Sequence, residues 1–145
     1  MSAERVILMV EDNPQDEALA LRALRKSGVA NRIDVVRDGQ QAVDYLFREG
    51  EFAGRDATDP TVVLLDIGLP RLTGLEVLAR VRADPRTRTL PVVILTSSDE
   101  DQDRLSSYEQ GANSYVRKPL DFADFAQTVA RLGVYWLATN EPLRP

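Results

Sequence analysis

Five short apolar runs punctuate the chain, and each is followed by a stretch with helical spacing. The first, Arg5-Val-Ile-Leu-Met-Val10, ends on Glu11-Asp12-Asn13-Pro14. Unbroken β-branched and aliphatic residues without polar alternation predict a strand buried on both faces. Asn13 suits a helix N-cap and Pro14 the first helical position, and Asp16 and Glu17 follow in the first turn, where acids favour the helix dipole. The helix runs to about Lys26, with Ala18, Leu21 and Leu24 near one face, and stops at Gly28. Ile33-Asp-Val-Val36 is the second strand, and Asp38-Gly39 opens a helix striped by Ala42, Val43, Leu46 and Phe47. Residues 49–60 are polar and glycine-containing, a loop longer than such a connection needs. The third run, Thr61-Val-Val-Leu-Leu-Asp66, ends on a carboxylate with Pro70 four residues beyond. Thr73-Gly-Leu-Glu76 is a capping-box pattern opening a helix with Leu75, Val77, Leu78 and Val81, which should end near Asp84-Pro85. Pro91-Val-Val-Ile-Leu95 ends on Thr96-Ser97-Ser98, and the acidic segment from Asp99 to Asp103 opens a helix that stops at Gly111. Ser114-Tyr-Val116 is the last strand, followed by Arg117-Lys118-Pro119. Asp121 caps a final helix carrying Phe122, Phe125, Val129, Leu132 and Tyr135-Trp136-Leu137.

Five strand–helix pairs in strict alternation require parallel strands with right-handed crossovers and helices on both faces. The predicted fold class is therefore α/β, a doubly wound five-stranded parallel sheet, for which strand order 2-1-3-4-5 is a common solution. The expected organisation is one domain over residues 1–145, with a core of about 5–138 and a short irregular extension over 139–145.

Composition narrows the chemistry. At 145 residues and 43% hydrophobic, the chain suffices for one core, and a net charge of -5 argues against general nucleic-acid affinity. No cysteine and no histidine is present. That excludes thiolate or imidazole metal ligands, a histidine base and a phosphohistidine relay within this chain, so any metal is held by oxygen, which favours Mg²⁺ or Ca²⁺. No signal-peptide pattern opens the sequence and no run is long enough to span a bilayer; the expected compartment is the cytoplasm.

In the order 2-1-3-4-5, four strand tips fall side by side and carry Glu11-Asp12, Asp66, Thr96 and Lys118. Ligands bind at such carboxyl ends. Three carboxylates at one edge repel unless a cation sits among them, and a hard divalent ion is the natural occupant. A carboxylate can also act as a nucleophile and form an aspartyl phosphate. Phosphoryl transfer needs positive charge and donors around the equatorial oxygens, which Mg²⁺, the Lys118 ammonium and the Thr96 hydroxyl would supply. Lys118-Pro119 is a candidate cis peptide, a fixed turn that would aim the lysine. Taken singly, Glu11-Asp12 is an acidic helix N-terminus, Asp66 and Thr96 are turn residues, Lys118 is a surface lysine and Tyr115 is half-buried packing. Their conjunction, each at the end of a separate strand, points to a site.

The chain resembles a response-regulator receiver domain over about residues 5–138, on Glu11-Asp12, Asp66 with Leu69-Pro70 and Gly74, Thr96, and Lys118-Pro119. The resemblance implies a flavodoxin-like fold and Asp66 as phospho-acceptor. Mg²⁺ would be held by Asp12, Asp66 and the Gly68 backbone carbonyl, with Glu11 binding through water. It further implies Lys118 paired with the phosphoryl group, a Thr96/Tyr115 switch, and a histidine kinase as donor. The long loop before Asp66 and the absence of an output domain further resemble single-domain regulators that work with phytochrome-type kinases, so the kinase is expected to be a bacteriophytochrome. Gly68 departs from the asparagine frequent in that subfamily, which touches the dephosphorylation rate rather than the metal; Ser97 is small enough to leave the phosphoryl group room. The expected output is protein contact through helix 4, strand 5 and helix 5, including a homodimer in which Tyr135-Trp136-Leu137 bury against a second copy. No catalysis on an outside substrate is expected. The rival readings are an aspartate-nucleophile phosphatase, which wants an acid where Gly68 stands, a flavin binder, which needs a phosphate loop where Glu11-Asp12 stand, and a phosphorylation-independent binding module.

Overall fold

The computed structural model describes residues 4–28, 30, 32–56 and 58–143. Five parallel strands, β1 (Val6–Val10), β2 (Arg32–Val36), β3 (Val62–Leu65), β4 (Val92–Thr96) and β5 (Ser114–Arg117), form one sheet in the order β2-β1-β3-β4-β5. Helices α1 (Pro14–Ser27), α2 (Gly39–Phe47), α3 (Gly74–Ala83), α4 (Asp101–Glu109) and α5 (Phe122–Val134) follow the strands in turn. The expected α/β class and strand order are the ones observed.

Burial explains the order. β1, β3 and β4 are buried along their whole length, as their unbroken apolar runs require, whereas the edge strands β2 and β5 are largely half-exposed. Alternate side chains then serve opposite layers. Leu8, Val10, Val63, Leu65 and Ile94 pack with Val43 and Leu46 of α2 and with Val77 and Val81 of α3. Ile7, Met9, Leu64 and Val93 pack with Leu24 of α1 and with Phe125 and Val129 of α5. Truncating a fully buried member such as Ile94 to alanine should cost about 2–5 kcal/mol, the transfer term plus the cavity.

Local chemistry sets the helix ends. The Asn13 side chain accepts from the N–H groups of Gln15 and Asp16, and Thr73 and Glu76 form the reciprocal capping box. Gly28 ends α1 in the left-handed region at φ 70°. Gly74 is required by proximity: a Cβ there would lie 2.1 Å from the Asp66 carbonyl oxygen. The N-terminus of α3 therefore rests directly on the backbone that carries Asp66.

Two expectations are corrected. Among the described residues no peptide bond is cis, so Lys118-Pro119 is trans. The lysine needs no special turn, because its backbone N–H continues the strand ladder to the Thr96 carbonyl at 2.7 Å, and strand pairing already aims the side chain. Within the expected loop over residues 49–60, a 3₁₀ turn, Gly50–Phe52, sets Phe52 edge-on to Tyr45, and the Arg55 guanidinium lies 4.1 Å from the Tyr45 ring centre. The last helix passes into a π turn, Tyr135–Thr139, which rotates Leu137 into this chain's own core. Leu137 is thus not free to meet a second copy, while Tyr135 and Val134 are exposed. Of the expected irregular tail, Arg144 and Pro145 lie outside the described residues.

Candidate functional site

Glu11, Asp66 and Lys118 are each the first residue beyond a strand, yet their backbones remain tied to the sheet. Their N–H groups donate to the carbonyls of Val36 (3.0 Å), Val10 (3.3 Å) and Thr96 (2.7 Å). Side chains mounted this way inherit the rigidity of the central strands while their ends reach solvent. Thr96 closes β4 beside them, and all four residues are buried; Asp12 is exposed.

Lys118 lies at the centre. Its ammonium donates to Glu11 Oε1 at 2.6 Å, to Asp66 Oδ2 at 2.9 Å and to Asp16 Oδ2 at 2.9 Å. Burial by itself would lower the lysine's pKa, but the bonds to Asp66 and Glu11 outweigh it and hold the group above the ordinary lysine range. The ammonium is therefore charged at any physiological pH. Burial lifts the Glu11 carboxyl above its usual range, and the bond to Lys118 opposes this only in part. Three carboxylates, Glu11, Asp16 and Asp66, thus share one ammonium, and a fourth, Asp12, lies beside Glu11 and Asp66.

That excess of negative charge fits a cation. Carboxylate oxygens of Glu11, Asp12 and Asp66 lie within 4.8 Å of one another. All three are hard oxygen donors, the set that Mg²⁺ or Mn²⁺ prefers. The remaining oxygens of Glu11 and Asp66 accept from the N–H groups of Asn13 (3.2 Å) and Gly68 (3.2 Å), which orients both carboxylates. The group opens into a cavity of about 450 Å³, lined also by Gly68, Thr96, Ser97 and Ser98. A side chain at Gly68 would meet nothing within 4 Å, so the approach to Asp66 is open on that flank.

Thr96 and Tyr115 meet through the loop after β4. The Thr96 hydroxyl accepts from the Ser98 N–H at 3.3 Å, and the Tyr115 hydroxyl donates to the Ser98 carbonyl at 2.9 Å. Arg104 of α4 lies over the Tyr115 ring, with its guanidinium carbon 5.8 Å from the ring centre. α4 itself is thinly held: among its residues only Ser107 is buried, and Leu105 and Tyr108 face solvent. A segment with so few buried apolar contacts sits at the low-stability end of a fold.

Every site residue expected from sequence lies at this end of the sheet, with Tyr115 half-buried outside the cavity. Two residues escaped the sequence reading. Asp16 was legible only as a first-turn acid, although that position on α1 turns its carboxylate onto Lys118. Ser98 was only one of two serines after β4, and its backbone joins Thr96 to Tyr115.

Comparison with known proteins agrees with this architecture. The model of the response regulator receiver domain matches residues 7–130. The probable methanogenesis regulatory protein FilR2 of Methanothrix harundinacea is 43% identical, covering 97% of this chain and 88% of its own length. Among solved structures, the phosphorylated cyanobacterial phytochrome response regulator RcpA superposes with a TM-score of 0.91 at 38% identity, over 97% of this chain and 99% of that one. The Mn²⁺-bound form of response regulator Rcp1 does so with a TM-score of 0.89 at 34% identity, over 95% and 98%. The corresponding Rcp1 sequence, from Synechocystis sp., is 35% identical over 93% of this chain and 90% of its own length.

Proposed function

The chain belongs to the response-regulator receiver family of two-component signalling, and from that premise we propose that Asp66 accepts a phosphoryl group from a histidine kinase. The observation that carries the proposal is the placement of Asp66: nearly buried, oriented by the Gly68 N–H, bonded to Lys118, and open to the cavity. In the transfer, an Asp66 carboxylate oxygen attacks phosphorus. The new P–O bond forms as the P–N bond to the kinase histidine breaks, and the imidazole leaves. Lys118 turns an N–H toward the phosphoryl oxygens, and Thr96, on the adjacent tip, donates its hydroxyl to them. Asp12, Asp66 and the Gly68 carbonyl, with Glu11 through water, would hold Mg²⁺. That ion, when bound, neutralises charge on the transferred oxygens. Rcp1 is known in a Mn²⁺-bound form, which supports a divalent ion in this family. The chemistry stays on this chain's own aspartate, with no outside substrate.

The readout is a population shift. Drawing the Thr96 hydroxyl toward a phosphoryl oxygen breaks its contact with the Ser98 N–H, and the same residue's carbonyl holds Tyr115. The loop, Tyr115 and the thinly held α4 then move together, changing the face made by α4, β5 and α5. Exposed Leu105, Tyr108, Val134 and Tyr135 fit that surface for homodimerisation and for a downstream protein. The donor is a phytochrome-type kinase, a reading supported by the likeness to RcpA, and the chain acts in the cytoplasm. Thr96→Ala should accept phosphate and yet fail to shift α4. Equal hydrogen-exchange changes in both proteins on adding beryllofluoride would sink the switch.

The deciding experiment is intact mass after incubation with acetyl phosphate, with and without Mg²⁺, on wild type and Asp66→Asn. One Mg²⁺-dependent phosphoryl addition, absent from the variant, is expected. No addition under any condition would make the chain a phosphorylation-independent binding module.

A further inference from the structure

We propose that Asp16 is a positioning residue that restrains Lys118, so that its pull on the ammonium opposes formation of the phosphorylated state. The inference rests on the receiver reading and goes beyond it. An ammonium has three N–H bonds, and here all three are occupied, by Glu11, Asp66 and Asp16. When Asp66 carries a phosphoryl group, the ammonium must turn toward the phosphoryl oxygens, and the pull of its other partners opposes that turn.

The three partners differ in how they can respond. Glu11 is fixed at the end of β1, its side chain is 6% exposed, and its second oxygen is held by the Asn13 N–H. Asp66 carries the phosphoryl group itself, and its bond to the lysine passes to that group. Asp16 stands in the first turn of α1, its side chain is 25% exposed, and water can replace the lysine once the pair opens. It also stands outside the group of oxygens from Glu11, Asp12 and Asp66 that suits a metal. Asp16 lines the cavity as well, so its negative charge faces an incoming phosphoryl group. It therefore opposes phosphorylation twice, by competing for the lysine and by like-charge repulsion. Asparagine at this position keeps an oxygen for Lys118 while removing the charge, which separates restraint from alignment.

The test uses the full chain at saturating Mg²⁺ and compares wild type with Asp16→Asn and Asp16→Glu. Two quantities are read: the dissociation constant for beryllofluoride by calorimetry, and the rate of phosphoryl uptake from acetyl phosphate by intact mass. Asp16→Asn should bind beryllofluoride about fivefold tighter and take up phosphate faster by a similar factor, with Asp16→Glu returning most of the way to wild type. Weaker binding or slower uptake in Asp16→Asn would mean that Asp16 aligns the lysine, and unchanged values that it is a bystander; either overturns the restraint. A wild type that takes up no phosphate and binds no beryllofluoride would bring down the receiver reading and this inference together, a result distinct from a responsive wild type with an indifferent variant.

Discussion

Two polar networks lie at different places on the same sheet, and their charge balance differs. At the free edge of β2, Arg32 donates to Asp34 (3.1 Å) and Asp56 (3.0 Å) and lies 3.6 Å from Glu4. The Tyr45 hydroxyl donates to Asp34, and Arg55 spans the carbonyls of Tyr45 and Thr58. There, cations and anions interleave, so the network is close to neutral. At the tips of β1, β3 and β5, Glu11, Asp16 and Asp66 all bond Lys118, Asp12 lies beside them, and among the described residues no other cation lines the cavity. A balanced network stabilises the fold it sits in, whereas an overcharged one is stable only with help from outside. Structure and function are distinguished here by whether the charges cancel, since acids are abundant in both.

The largest expected effect comes from removing the one cation at the tips. Lys118→Met leaves the carboxylates facing each other across a buried site and should lower stability in chelator by about 4 kcal/mol, the scale of a broken buried pair. Millimolar Mg²⁺ should recover more of the loss in the variant than it adds to wild type, because the ion then takes over the lysine's role. Urea unfolding with and without Mg²⁺ checks this; a variant insensitive to the ion would mean that the tips are not short of positive charge.

Gly74→Ala comes next. Its Cβ would fall 2.1 Å from the Asp66 carbonyl oxygen, a backbone atom with no freedom to swing aside. The N-terminus of α3 must lift, at about 3 kcal/mol, and the displaced carboxylate should take up phosphate at least about tenfold more slowly. Thermal unfolding and the acetyl phosphate rate report the two halves separately. At the β2 edge the acids are placed by strand pairing and by their ion pairs with Arg32.

Much of this was readable in the sequence, and for a physical reason. Strands buried on both faces must be apolar throughout, so the runs of β1 and β3 end where the chain leaves the sheet, and the residues there, Glu11 and Asp66, are the ones those strands can present; Lys118 follows the half-exposed β5 and was legible through its place after the last apolar run. Asp16 and Ser98 were not readable because each already had a sufficient local explanation, a first-turn acid and a turn hydroxyl. Their second roles depend on groups brought near by tertiary packing. Ile33-Asp-Val-Val36 was legible as a strand, but the polar Arg32 that opens β2 was not, because an edge strand is half-exposed and carries polar residues. The placement of Phe52 and Arg55 on Tyr45 had no sequence signature at all. The trans state of Lys118-Pro119 was beyond reach too, since the local preference between isomers is only about 0.5–1 kcal/mol.

Tyr45→Phe tests the balanced network with a smaller effect, about 1 kcal/mol, the net worth of one hydrogen bond. It also has a pH signature. Burial first, and then the bond to Asp34, raise the Tyr45 hydroxyl to about 12. A group whose pKa is raised by folding contributes stability that is complete below its unfolded value, here the ordinary tyrosine 10, and lost as pH rises through about 12. Wild type should therefore lose its advantage over Tyr45→Phe across that window. A constant gap between the two unfolding curves would mean that the hydroxyl is not coupled to Asp34.

The smallest effect belongs to Asp56→Asn, and it sharpens the contrast most directly with Asp16→Asn at the tips. Asp56 is 55% exposed on its side chain, and its bond to Arg32 holds its carboxyl below the usual aspartate range. The sign follows: such a group stabilises above its ordinary value of 3.8, and the contribution disappears as pH falls through the lowered one. Solvent and salt screen an exposed pair, however, and Arg32 retains Asp34 and Glu4 after the substitution. Unfolding at neutral pH should therefore be indistinguishable from wild type, and phosphate uptake unchanged. One aspartate is removed in each variant, but only at the tips does the removal change a competition for a single ammonium. A clear loss of uptake in Asp56→Asn would show that the β2 edge communicates with the tips, and charge balance would no longer separate scaffold from site.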